Sequence, residues 1–573
     1  MRAGAEFFVE PREPAQRRYE ALRAYFIEQA SAVEVGARFG YSPANVHQMA
    51  SELRAGRAAF FLSSKPGPRG PRKAPRIRDE VLALRAQERS VSEIAAALTA
   101  AGTPVSAQTV WAILAAEGLE RLPRRAAAER GAPPRLAPVK ARPLAAWPAG
   151  GSVACDHAGL FLLVPGMVEL GLDELVRWAG YPSTTVLSAW HSLGALLLAK
   201  CARKARISHA TALADDPALG LLLGLTALPK ATHLSSYSYR VRRQSNERLL
   251  AGATRRLREL GLVTGEQGFN LDFHAIRHHG DDTPLEKHYV PRRSQRTRAV
   301  LTFFAHDHAS SEMVYANADL TKAEQAREVI AFADYWQAVA GADPGLLVFD
   351  SKLTTYAVLN ELSERGIRWL TLRERGPKLT ADLAARPDSE WKTVRIERTG
   401  RYRAPQIHDQ LVQIKGISDR VRQLAVRNIG REQPTLLITN DLQTTSKQLF
   451  ARYAERMTIE NELDAYIQGF HLDALSSGLP LNVDLDTTLT VIAGNLYRLL
   501  ARRLPRYERA TPDRLWRHFL DATGTLHLSD DALTVDIRAR TYHPVLIDAG
   551  LADHATPIPW LNGRQLRLRF PPR

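Results

Sequence analysis

Three carboxylates in this chain sit where an acid needs a reason. Asp272 lies inside the apolar run FNLDFHAI (269–276), between Leu271 and Phe273, and a charge buried there requires a partner or a cation. Asp350 ends the run GLLVFD (345–350), and Glu460 follows far downstream in RYAERMTIENELDAY. Taken singly, each has an ordinary role: half of a salt bridge, a strand-end cap, one of many helical acids. Taken together, three hard oxygen donors from distant segments suit Mg²⁺, which accepts a few carboxylates and completes its shell with water and substrate phosphate. Two such ions, with Mn²⁺ as a substitute, would activate a nucleophile on one side of a phosphodiester and stabilise the leaving oxygen on the other. Asp281 and Asp282, in RHHGDD, compete with Asp272 for the first position, but they fall in a predicted loop.

Bringing these acids together requires a sheet. FNLDFHAI, RAVLTFFAH (298–306) and EMVYANAD (312–319) read as three consecutive strands. A helix at 322–340 follows, then the strand 345–350, a helix at 355–366 and a strand at 367–373. Three strands followed by alternating helices and strands is the order of an RNase H-like α/β fold. It places Asp272 mid-strand and Asp350 at a carboxyl-terminal strand edge, where ligand sites of such sheets lie. The segments 392–398, 410–415 and 422–428 alternate in polarity and predict a β-rich insertion spanning 375–432. PTLLITN (434–440) returns to a buried strand, one long helix at 446–470 carries Glu460, and another helix covers 487–504. The tail holds a helix at 513–520 and strand-like pieces around 524–540 and 565–570, with no function assigned.

The N-terminal third has a different grammar. EVGARFG (34–40), YSP, then ANVHQMASEL (44–53) reads as helix, turn, helix, with Ser42 as N-cap and Pro43 at the first helical position. Val35 and Phe39 would pack on Val46, Met49 and Leu53, leaving Asn45, His47, Gln48 and Ser51 outward, the layout of a helix-turn-helix with a recognition helix at 43–54. A generic helical hairpin gives the same pattern. It recurs: SVSEIAAALTAAG (90–102) opens on a capping box, and VSAQTVWAILAAEGL (105–119) restarts at Ser106, with Gln108 and Thr109 facing out. Between the two copies, SSKPGPRGPRKAPR (63–76) is a basic linker whose Arg69, Arg72 and Lys73 would follow a minor groove or phosphates, or simply be solvated. Farther on, Tyr237, Tyr239, Arg240, Arg242 and Arg243 mix aromatics with cations, which suits phosphate and base contacts or a charged helix face.

Tyr453, Arg456 and Glu460 spell Y-x2-R-x3-E after LLITND. With DPALGLLLGLTALPKATHLSSY and VFDSKLTTYAVLNELSERGIRWLTLR, this resembles the insertion-sequence DDE transposases that carry a β-rich insertion between the second Asp and the Glu, over roughly 205–505. The resemblance implies that Asp272, Asp350 and Glu460 are the metal ligands. It implies that Tyr453 and Arg456 contact the transposon-end backbone, and that a homodimer works on two paired DNA ends, cutting and then joining strands. One position departs: the family signature continues with a Lys seven residues after the Glu, and here that residue is Ile467. The rival reading is a domesticated, transposase-derived DNA-binding regulator without catalysis.

Charge agrees with a polyanionic partner. Lys and Arg number 77 against 61 Asp and Glu, a net +16, and residues 1–150 alone hold 23 cations and 14 anions, over half of the excess. Only 13 of the 77 cations are Lys, a richness in Arg that a GC-rich genome would also produce. The partners so indicated are double-stranded DNA, as terminal inverted repeats and target, and no membrane. Two cysteines, Cys155 and Cys201, exclude a disulfide framework and read as buried small hydrophobes. The histidines His274, His278, His279, His288, His306 and His308 raise zinc, but adjacent His278 and His279 rarely share one ion and no Cys accompanies them. The N-terminus has no signal-peptide core and the longest apolar stretches are too short to span a bilayer, so a cytoplasmic, nucleoid-associated bacterial protein is expected. The expected organisation is multidomain: helix-turn-helix units at 1–60 and 76–120, linkers at 61–75 and 121–150, and a helical intermediate domain at 151–265. An RNase H-like core at 266–374 and 433–505 follows, with the insertion at 375–432 and a C-terminal region at 506–573.

Overall fold

The computed structural model describes residues 6–9, 11, 13–56, 74–120, 122, 140–278, 285–290, 295–350, 353, 355–395, 404–430, 433–474 and 477–572. The chain forms two compact units, Met1–Leu136 and Ala137–Arg573. It is a mixed α/β protein, and among the described residues all strands lie in the second unit.

The first unit contains two three-helix clusters. Helices α1 (Pro14–Phe26), α2 (Ala32–Phe39) and α3 (Pro43–Arg54) close over Leu22, Val35, Phe39, Val46 and Met49. Ser31 and Glu34 form a capping box on α2, and Gly40 ends it in the left-handed region at φ 74°. The Ser42 hydroxyl accepts from the Asn45 N–H and starts α3, with Pro43 in its first turn. The turn is tight enough that a Cβ on Gly36 would run into the Tyr41 carbonyl. Helices α4 (Ala74–Ala86), α5 (Val91–Ala100) and α6 (Ala107–Ala116) repeat the plan over Ile77, Val81, Ile94, Leu98, Val110 and Leu114. Helix α4 begins at Ala74, inside the segment expected to be linker as far as residue 76, and its Ile77 and Val81 supply the third wall of this cluster.

The second unit is built on two sheets. Strand β1 (Ser152–Cys155) leads into a helical stretch that includes α7 (Ala189–Cys201) and α8 (Arg243–Glu259). Then come β2 (Phe269–Arg277), β3 (Lys287–Val290), β4 (Gln295–Asp307) and β5 (Met313–Asn317), followed by α9 (Glu328–Ala340), β6 (Leu346–Phe349), α10 (Tyr356–Glu364) and β7 (Arg368–Leu372). Helix α11 (Pro377–Ala384), β8 (Lys392–Thr393), β9 (Gln406–Val412), β10 (Val421–Arg427) and β11 (Thr435–Thr439) precede helices α12 (Ser446–Ala454), α13 (Met457–Phe470) and α14 (Pro480–Arg503). Strands β12 (Gly524–Leu528), β13 (Ala532–Ile537), β14 (Thr556–Ile558) and β15 (Arg564–Arg569) complete the chain.

The larger sheet has ten strands among the described residues, in the order β3-β4-β2-β6-β7-β11-β10-β9-β8, with β5 also beside β4. β2 runs antiparallel to β4 and parallel to β6, β6 parallel to β7, and β11 antiparallel to β7. The expected β-rich insertion is therefore not a separate layer: β10, β9 and β8 continue the same sheet outward from β11. The strand expected at 410–415 occurs at Gln406–Val412 because pairing with β10, Ile407 against Val426, sets its register. Of 392–398, only Lys392–Thr393 is strand.

The smaller sheet, β1-β12-β13-β15-β14, joins the start of this unit to its end. The division of 151–265 from 506–573 is thus corrected: β1 pairs with β12 along Ser152–Cys155 and makes the tail part of the intermediate region's core. Helix α14 threads the interior, with Val491, Ile492, Ala493 and Tyr497 all buried. A Cβ on Gly494 would strike the Tyr466 hydroxyl, so α13 docks on α14 only through glycine. Among the described residues no helix is long and apolar enough to cross a membrane.

Candidate active site

Register on two neighbouring strands places the first two acids. β2 and β6 are parallel, with Asn270 opposite Val348. Two residues beyond that pair come Asp272, still within β2, and Asp350, one residue past the end of β6, near enough for the Asp350 charge to act on Asp272. Val348 packs with Leu449, Phe450 and Tyr453 of α12. The acids therefore sit under the helices that carry the third.

That helical segment is not continuous, contrary to the expected single helix at 446–470. α12 stops at Ala454 and α13 starts at Met457, with Arg456 as the N-cap residue of α13. The break turns Arg456 inward and puts Glu460 in the first turn of a new helix, where the dipole favours a carboxylate. Arg456 Nη2 donates to Glu460 Oε1 at 2.7 Å, and Nη1 lies 3.6 Å from Asp272 Oδ2. The Tyr453 ring lies 5.9 Å from the guanidinium, and burial pushes the Tyr453 hydroxyl up to about 12. Burial raises the Asp272 carboxyl to about 6; Arg456 opposes that rise, while the charges of Glu460 and Asp350 add to it. Asp272, Asp350 and Glu460 thus share one electrostatic site centred on Arg456, whose own charge all three support. Among the described residues no three His, Cys, Asp or Glu side chains are arranged to hold a metal ion.

What holds the break over β2 is a buried polar cluster that the sequence reading missed. Asn270, fully buried two residues before Asp272, accepts from Arg452 Nη1 at 2.7 Å and donates to Thr458 Oγ1 at 3.1 Å. One amide therefore grips α12 and α13 on either side of the break. Thr458 Oγ1 donates to the Glu455 carbonyl at 2.8 Å, and His308 Nε2 lies 3.0 Å from Glu455 Oε2. The available signal was an amide inside an apolar strand, in phase with Asp272. Asn270→Leu is expected to destabilise the protein by about 2–4 kcal/mol, because it strips a buried guanidinium of its side-chain acceptor. Denaturant melts of the full chain test this; an unchanged midpoint would show that the clamp is idle.

Other expected contacts divide by burial. Asn45, His47 and Gln48 are exposed on α3, although Gln48 Nε2 donates to Glu52 Oε1 at 3.2 Å. Gln108 is exposed on α6; Thr109 is half-buried, its Oγ1 2.9 Å from the Ser106 hydroxyl, and serves the helix start instead of facing out. Trp111, one turn beyond Gln108 on that face and 51 % exposed, was overlooked. Tyr237 is fully buried, and Arg243 lies in an interior ion pair with Asp484 at 2.9 Å. These two are corrected to structural residues, since Asp484 on α14 needs a counter-charge. Arg240, Arg242 and Tyr239 remain exposed. Arg69, Arg72 and Lys73 lie outside the described residues, as do His279, Asp281 and Asp282.

Ile467 is partly buried and packs against the large core. His306 is buried and held neutral, its imidazole lowered to about 3 chiefly by burial. His288 lies 3.6 Å from Glu286. Cys155 and Cys201 are both buried free thiols, and burial raises both. No protein-family model and no curated protein matches this chain.

Proposed function

We propose that this protein is a DNA transposase with an RNase H-like core. It would bind the terminal inverted repeats of its own element and carry out metal-dependent strand cleavage and strand transfer. The observation that carries the reading is the cluster round Arg456, which lies between Asp272 and Glu460 and feels the charge of Asp350, the residue after β6, the parallel neighbour of β2. Strand order supports it as well: β5, β4, β2, β6 and β7 lie side by side, the first three antiparallel and the last three parallel.

By donor type, Asp272, Asp350 and Glu460 suit a hard divalent cation, though among the described residues they are not arranged to hold one and lie instead round the Arg456 guanidinium. Asp272, Asp350 and Glu460 would hold the Mg²⁺ or Mn²⁺ pair. Bound there, the ions would supply an activated water or 3′-hydroxyl and stabilise the departing oxygen in an in-line displacement. Arg456 and Tyr453 would orient the phosphodiester, and the apolar floor of Val348, Leu449 and Phe450 keeps the site's base dry.

DNA capture would fall to the first unit, in an unusual division of labour. Residues 13–56 hold five Lys and Arg against five Asp and Glu, and 74–120 hold four against six. The flanking segments 57–73 and 121–142 hold twelve against one. The helices would read bases while the connecting segments neutralise phosphate.

The test is Asp350→Asn in the full chain. Mg²⁺-dependent cleavage of duplexes carrying the element's ends should disappear while binding stays within about threefold, because recognition lies in another unit. Loss of binding in parallel with cleavage would show that the DNA contacts are misplaced. Binding with no cleavage by the unmodified chain would favour the rival, a transposase-derived regulator, to which the core-packed Ile467 gives some support.

A further inference from the structure

Arg456 does not behave like the cation of a structural ion pair. Such a pair ordinarily spends the guanidinium fork on one carboxylate, two parallel N–H groups to two oxygens. Here one Nη2 bond goes to Glu460, and Nη1 stands 3.6 Å from Asp272, beyond hydrogen-bonding reach. Nε and Nη1 are both buried with no hydrogen-bond partner, in a side chain only 11 % exposed. Leaving buried donors on a charged group unused is costly. The groups that face it are Asp272, Asp350, Glu460 and Tyr453, whose ring lies beside the guanidinium and whose hydroxyl is within its hydrogen-bonding influence. The fold therefore keeps a charge that cannot be lost by deprotonation, part-bonded, in the middle of three acids. It occupies the two-residue break between α12 and α13, and its side chain makes no capping bond.

We infer that Arg456 is a resident counter-cation that closes the carboxylate cluster to divalent metal until a phosphodiester takes its unused N–H groups and draws it aside. The inference rests on the proposed reading of Asp272, Asp350 and Glu460 as metal ligands. In the free protein, one fixed positive charge offsets the mutual repulsion of the acids and competes directly with an incoming ion. A phosphate oxygen offers Nε and Nη1 the acceptors they lack, and once the guanidinium turns to it the cluster loses the positive charge that competes with a metal ion. The coupling is reciprocal, so metal tightens phosphate as much as phosphate tightens metal. Metal loading would then be confined to protein already seated on DNA, and the free protein would not be an idle nuclease.

The experiment is a Mn²⁺ titration followed by electron paramagnetic resonance, on the full chain at pH 7.5. Arg456→Gln should bind Mn²⁺ about tenfold or more tightly than the unmodified protein, and adding Asp272→Asn to it should remove the gain. In the unmodified protein, a 30-base-pair duplex should tighten Mn²⁺ binding by a similar factor, with Asp272→Asn protein plus the same duplex as the blank. That second arm stands even if Arg456→Gln fails to fold. Equal, measurable Mn²⁺ affinity with and without Arg456, abolished by Asp272→Asn, would overturn the latch and leave the metal site standing. Mn²⁺ binding by neither protein, with or without duplex, would overturn both.

Discussion

Asp272→Asn is expected to abolish Mg²⁺-dependent strand cleavage and, at the same time, to make the metal-free protein more stable at pH 7.5. Loss of outer-shell support at metal sites commonly costs about 10–100-fold, and removing a ligand should cost at least about 100-fold. The gain in stability follows from the sign of the Asp272 shift. Burial raises its carboxyl from 3.8 to about 6 in the folded chain, so the folded state holds this proton more tightly than the unfolded state does. Its favourable contribution is complete below about pH 4 and is lost as pH rises through about 6. Asn is neutral throughout and escapes that loss. The two proteins should melt alike near pH 4, with Asn pulling ahead by on the order of 1–3 kcal/mol above pH 6, the lost Arg456 contact offsetting part of the gain. Thermal melts in EDTA from pH 4.5 to 8, set beside cleavage assays, read both effects. An Asn variant less stable than its parent at pH 7.5 would mean that Asp272 is a structural ion-pair partner and not an acid held ready for a cation.

Neutralising Arg69, Arg72 and Lys73 together to Gln should weaken the full chain's binding to all DNA sequences alike, by roughly ten- to a hundredfold at low salt. Each phosphate contact contributes about 0.9 to the slope of log affinity against log salt, so the slope should become shallower by about 3 if all three contacts are made. Gln48→Ala, on the exposed face of α3, should instead leave the slope unchanged. It should relax preference at one base position by about 1–3 kcal/mol, the worth of a bidentate amide–adenine pair. Fluorescence anisotropy between 50 and 300 mM salt, with footprinting on the element's ends, separates the two. An unchanged slope in the triple variant would shift the phosphate contacts to the exposed Arg240 and Arg242.

Local signals carried much of the architecture. Ser31–Glu34, Ser42–Pro43, Ser90–Glu93 and Ser106 mark helix starts within a few residues, because a capping side chain satisfies N–H groups in its own first turn. The apolar runs around Asp272 and before Asp350 are legible for the same reason: buried strands need apolar neighbours along their own length. The three acids could be picked out by type and setting, since a carboxylate among Leu and Phe is costly wherever the chain goes. Partnership across the fold was not legible. That Asp272 comes near Asp350 depends on β2 pairing with β6, and that 406–427 extends the main sheet depends on β11 pairing back on β7. The helix break at Glu455–Arg456 has no proline or glycine to announce it. It arises because Asn270, Arg452 and Thr458, separated by up to 188 residues, find their hydrogen bonds only when the helix parts there. Tyr237 and Arg243 looked like surface groups by composition, and Asp484, on a helix some 240 residues later, makes an interior partner of one of them. Hydrogen bonds and ion pairs of that range reward a geometry that no local window contains; only the folded chain decides which polar residues are spent on itself and which, like Arg456, are left with donors to spare.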